Sequence, residues 1–168
     1  MAGQRDSQVV ELLGRNRLIE ELLLAGLEVA LPLRDRGIDL IAYADLAARV
    51  ESFAACPIQM KASSEAAFGL HSKYRRVRNL IIAHVWYVGR PEKSITIATT
   101  YDEALSVVEA MGWAETPSWA SGAYSTSRPS KRLLNLLEPF RMTPQRWWAK
   151  VVGIQVGIAA NQQEYPRQ

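Results

Sequence analysis

The chain is poor in the residues that build many well-known sites: 168 residues include one cysteine, Cys56, and two histidines, His71 and His84. A single thiol closes no internal disulfide, and two imidazoles with one thiol make a His/Cys zinc centre unexpected. No apolar run approaches the ~20 residues that span a bilayer. The opening residues Met1 to Ser7 lead straight into an amphipathic pattern, without the apolar core of a signal peptide. These absences predict a protein of a reducing, cytoplasmic setting with no membrane partner. A Gly-rich phosphate loop is missing, and so is any nucleophile-elbow or Ser/Cys-His-acid triad pattern, which removes two large enzyme classes. The chain has no internal repeat and no low-complexity tract.

What is present is ordinary in bulk. A hydrophobic fraction of 48% and a charged fraction of 22% predict a folded domain with a substantial core. We expect one domain over residues 1–160 and a frayed polar tail over 161–168. Net charge is +3 and the sequence pI about 9.2, compatible with a polyanionic partner without requiring one.

Periodicity orders the chain. Asp6 or Ser7 caps a helix running to about Ala25, with Val9, Leu12, Leu13, Ile19, Leu22 and Leu23 at helical spacing and Gly26 as the stop. Residues 27–33 alternate as a half-buried strand, and 34–37 read as a tight turn. Residues 44–53 fit a short helix or a longer hairpin arm equally well. Strands are predicted at 58–62, 80–88 and 94–99, the last two as a hairpin, with a basic helix or ordered crossover over 63–78. Thr100 and Glu103 form a capping box for a helix closed by Gly112. A Ser/Thr/Gly/Pro-rich loop over 113–130 precedes two helices, 131–137 and 143–152, the second with Thr143 as cap and Pro144 at its first position. The fold class expected is α/β: a mixed central sheet of about five strands flanked by helices.

The chemistry concentrates in Gly37-Ile38-Asp39-Leu40-Ile41-Ala42 and Pro57-Ile58-Gln59-Met60-Lys61-Ala62. Side chains alternate along a strand, so Gln59 and Lys61 share one face while Ile58 and Met60 take the other. With the Asp39 strand alongside, a carboxylate, a neutral oxygen ligand and an ammonium converge. That set suits a hard divalent cation and an activated water, and hence phosphodiester cleavage. Taken singly, Asp39 also reads as a turn-bonding residue and Lys61 and Gln59 as solvated strand positions.

Together with the helix ending Leu22-Leu23-Leu24-Ala25-Gly26 and the strand with Leu31-Pro32, these segments resemble the PD-(D/E)XK nuclease superfamily, the restriction-endonuclease-like fold. They are most similar to its small members, such as intron-associated homing endonucleases and junction resolvases. The resemblance covers under a third of the chain. It implies Mg²⁺ or Mn²⁺ as cofactor, Asp39 as ligand, Gln59 in place of the second metal-binding acid, and the Met60 carbonyl as a further ligand. Lys61 would orient or help deprotonate the attacking water. Several relatives carry a Glu on the first helix where Arg15 stands here; Glu11, one turn earlier on the same face, is the substitute.

Two basic clusters are candidate DNA contacts: Lys73, Arg75, Arg76 and Arg78, interleaved with Tyr74, and Arg128, Lys131 and Arg132. Both read equally as solvated surface. Trp113, Trp119 and Tyr124 are expected to pin their loop to the core, and His71 and His84 to be structural. Trp147 and Trp148 are adjacent on a helix and cannot both face the core squarely, which leaves one for a partner subunit. The sequence thus points to a metal-dependent DNA endonuclease, acting as a monomer or homo-oligomer. The alternative is a catalytically silent member of the same fold that binds nucleic acid or protein.

Overall fold

Asp6 stands before the first helix as a short acceptor with extended backbone, and its carboxylate takes the Gln8 N–H at 2.9 Å. From that cap α1 (Ser7–Leu24) runs until Gly26 adopts φ +80°, the left-handed conformation that ends helices cheaply. The structure, a computed structural model, describes residues 6–34, 36–44 and 53–163. Asp35 of the expected turn, most of the ambiguous segment 44–53, and residues 164–168 of the expected tail lie outside the described residues.

Five strands form the main sheet among the described residues: β1 (Glu28–Ala30), β2 (Leu40–Ala44), β3 (Ala54–Ala62), β5 (Ile81–Trp86) and β6 (Ile95–Thr100), in that spatial order. All neighbours are antiparallel except β3 and β5, which run parallel with Gln59 beside Ile82 and Lys61 beside His84. The sheet is therefore mixed, as expected. Its parallel pair is bridged by β4 (Phe68–His71) and a 3₁₀ turn at Ser72–Arg76. β4 pairs antiparallel with β7 (Ala123–Thr126) to make a second, two-stranded sheet. Gly69 allows the close approach, since a Cβ there would lie 3.0 Å from the Ser125 Cβ.

Helices cover both faces. α1 and α5 (Pro144–Gln163) pack Leu18, Leu22, Trp147 and Val151, all fully buried, on the face formed by Ile58, Met60, Ile81 and Ala83. On the opposite face Ile82, Trp86 and Ile97 meet α2 (Tyr101–Ala110), α4 (Lys131–Leu137) and the apolar side of β4. The capping box forms as its sequence demands: Glu103 N–H donates to Thr100 Oγ1 and Thr100 N–H to Glu103 Oε2 at 2.7 Å. Among the described residues no helix is long and apolar enough to cross a membrane.

The expectations for three segments need correction, and one alternative is decided. The strand expected at 27–33 pairs only over Glu28–Ala30, opposite Tyr43 to Ile41 of β2. Of the two readings of residues 63–78, the ordered crossover holds, built of β4 and a 3₁₀ turn. Residues 113–130 are more than a loop: a 3₁₀ turn at Trp113–Glu115, α3 (Pro117–Ala120) and β7 lie there. The last helix continues to Gln163. Trp148 is half-buried against the same core as Trp147.

The helix α1 crosses β3 with no room to spare. A Cβ on Gly14 would sit 2.5 Å from the Ala62 Cβ, so any side chain there pushes the helix off the strand. Gly14→Ala gains roughly 1 kcal/mol of helix propensity but incurs about 1–3 kcal/mol of overpacking. The expected outcome is a lower denaturant midpoint at unchanged m-value; an increase would show that α1 does not approach β3 this closely.

Candidate metal centre and nucleic-acid face

Asp39 directly precedes β2, and its backbone N–H donates to Ile58 O at 2.9 Å. There the ladder stops being purely backbone. The half-buried Asp39 carboxylate takes the Met60 N–H at 2.6 Å and the Gln59 Nε2 at 2.5 Å, both through Oδ2. Gln59 is 8% exposed, and its Nε2 also donates to Met60 O at 3.2 Å. One amide nitrogen thus sits between an anionic oxygen and a carbonyl oxygen. A half-turn of the Gln59 amide would present Oε1 to the same point. Asp39 Oδ, Gln59 Oε1 and Met60 O are all hard oxygen donors, and they fit an Mg²⁺- or Mn²⁺-type ion that keeps several waters. The donor set holds one carboxylate; among the described residues no three of His, Cys, Asp and Glu are grouped.

Lys61 lies two residues beyond Gln59 on the same strand and face, and is exposed. Its Nζ stands 5.6 Å from the centroid of the Tyr74 ring, and Lys73 Nζ stands 5.3 Å from that ring. Of the sequence-expected residues, Asp39, Gln59 and Met60 are in direct contact, with Lys61 on the Gln59 face. Glu11 sits on α1, which covers the opposite face, and its carboxylate is paired with Arg15 at 2.8 Å.

The basic candidates separate by role. Lys73, Arg75 and Arg76 belong to the 3₁₀ turn after β4; Arg75, Arg76 and the neighbouring Arg78 are exposed. Arg128 follows β7, and Lys131 and Arg132 open α4. Arg132 donates to Ala110 O at 2.6 Å, satisfying a carbonyl at the end of α2.

Two features carried too little sequence signal to be seen. One is the Met60 N–H that holds Asp39, since backbone donors leave no mark on residue type. The other is the sheet β4–β7 beside Lys61, made of two four-residue strands more than 50 positions apart. Trp113 stacks on Tyr124 with centroids 4.0 Å apart and packs on the second core with Trp119, as the sequence suggested. His71 caps the 3₁₀ turn by accepting from Lys73 N at 3.1 Å.

His84, 2% exposed, has Nε2 3.1 Å from Gly69 O and 3.3 Å from Gly69 N. Burial lowers its pKa to about 4, opposed by the Gly69 bond and assisted by the Lys61 charge. An unfolded chain protonates this residue near 6.5 and the folded protein does not until about 4. Stability is therefore complete above pH 6.5 and falls as pH drops to 4, by up to about 3 kcal/mol. Urea unfolding at pH 7.5 and 4.5 should show this loss, and His84→Phe should remove that part of it. Equal acid sensitivity in both proteins would contradict the assignment.

The fold and the contacts define an α/β protein with an acid–amide–carbonyl cluster at the end of a β-hairpin-like pair. No protein-family model matches the chain, and no curated protein sequence does either. Among solved structures it is similar to a bacterial homing endonuclease, I-Ssp6803I, at 15% identity and a TM-score of 0.47, over 95% of this chain and 99% of that one. That similarity is too distant to carry residues or activity across.

Proposed function

We propose that the protein is a metal-dependent DNA endonuclease whose centre is Asp39, Gln59 and the Met60 carbonyl, with Lys61 beside it. The observation that carries this reading is the convergence of Asp39 Oδ2, the Gln59 amide and Met60 O on one point. A divalent ion held there would polarise the scissile phosphate and lower the pKa of its water. Asp39 is fixed for that task by the Met60 N–H, so its carboxylate needs no reorganisation. Gln59 adds a neutral oxygen by turning its amide. Lys61 places an ammonium along the same face, where it offsets charge developing on the phosphorane oxygens. DNA is the partner, contacted through Lys73, Arg75, Arg76, Arg78, Arg128 and Lys131, and a symmetric pair of copies would serve two strands.

Relaxation of supercoiled plasmid with Mg²⁺ or Mn²⁺ tests the proposal. Asp39→Asn keeps an acceptor for the Met60 N–H while removing the charge, and Lys61→Ala alters an exposed side chain. Each is expected to slow nicking by roughly 100-fold or more with little change in melting temperature. Undiminished nicking in both variants contradicts the centre.

A second reading is favoured by one observation: the cluster has a single carboxylate, and Glu11 is engaged by Arg15. On that reading the protein binds nucleic acid without cutting it. Affinity falling steeply with salt in a protein that never nicks would mark it.

A further inference from the structure

Between the Lys61 face of the main sheet and the small sheet β4–β7 lies a cleft of about 420 Å³, within the roughly 300–1,000 Å³ range of ligand sites. Its walls include Tyr74, Tyr124 and His84, with Ser125 from β7, and Lys61 and Lys73 at the Tyr74 ring. Two properties restrict what fits. The walls are flat and rigid, since Tyr124 is stacked on Trp113 and His84 lies against Phe68 with centroids 4.9 Å apart. Two ammonium groups sit at one aromatic ring, suited to a group that carries a phosphate. An apolar side chain would leave the two ammonium groups without an anion, and a free anion would not use the aromatic walls. A nucleobase on its sugar-phosphate satisfies both.

We propose that this cleft receives one unstacked nucleobase of the bound DNA strand, so the preferred substrate is single-stranded or locally opened DNA. The inference rests on the endonuclease reading in one respect: Lys61 belongs to both the cleft and the hydrolytic centre, which places the bound base next to the scissile phosphate. Extrusion of a base from a closed duplex costs pairing and stacking energy, whereas an unpaired or mismatched base enters more readily. Aromatic stacking then holds any base without reading its sequence.

The test is binding without catalysis, by fluorescence anisotropy in EDTA. A single-stranded 12-mer, an abasic backbone of equal length, a perfect duplex and a duplex with one mismatch are compared. The base-bearing strand is expected to bind at least about five-fold tighter than the abasic one, and the mismatched duplex tighter than the perfect one. Ser125→Trp fills the cleft from β7 and should erase the preference for bases while leaving abasic affinity within about two-fold; Ser127→Trp, on an exposed lining residue, serves if the first variant does not fold. Equal binding of base-bearing and abasic strands by the unmodified protein overturns the proposal, as does a preference that survives a folded cleft-filling variant. Mg²⁺-dependent nicking with no base preference removes the cleft and leaves the hydrolytic centre. Base preference with no nicking does the reverse.

Discussion

The Asp39 carboxylate at the mouth of β2 fixes the geometry of everything proposed for this protein. It replaces a backbone acceptor where the β2–β3 ladder ends, taking the Met60 N–H at 2.6 Å. A buried N–H without a partner is costly, so the fold itself holds this anion in place. The same bond sets the register in which Gln59 reaches Asp39 from the neighbouring strand. Alternation along β3 then puts Lys61 on the Gln59 face. One short charged contact thereby serves two ends: it closes a ladder, and it orients an oxygen cluster.

The sheet divides the labour between its faces. α1 and α5 seal one face with Leu18, Leu22, Trp147 and Val151. That side is a packing surface, and Gly14 against Ala62 indicates how little slack it has. The other face is covered at one end by α2 and α4, and at the Lys61 end by the thin sheet β4–β7. Two four-residue strands cannot fill the space a helix would, and a cleft remains. The acid–amide–carbonyl cluster, the exposed lysines and the aromatic cleft all belong to this less completely covered face, where a polyanion can approach.

Much of this was readable from residues alone. The capping box of Thr100 and Glu103, the Gly26 stop and the Thr143-Pro144 start each act through neighbours a few positions away, and each forms as written. The hairpin β5–β6 and the alternation of β3 were legible for the same reason. The convergence of Asp39 and Gln59 followed from strand alternation once their strands were taken as neighbours. What was not legible depends on distant pairing. Phe68–His71 and Ala123–Thr126 are too short to show a period, and each becomes a strand only because the other lies beside it. Glu11 looked suitable by spacing along α1, but helical spacing does not tell which side of the sheet a helix will cover.

The most direct measurement of the central claim is the anomalous difference map of a crystal soaked in Mn²⁺. The account predicts one strong peak within coordination distance of an Asp39 carboxylate oxygen, the Gln59 Oε1 and the Met60 carbonyl, with the Gln59 amide turned to present its oxygen. Crystals that take up Mn²⁺ elsewhere, or keep the Gln59 nitrogen bonded to Asp39 at saturating Mn²⁺, would contradict it.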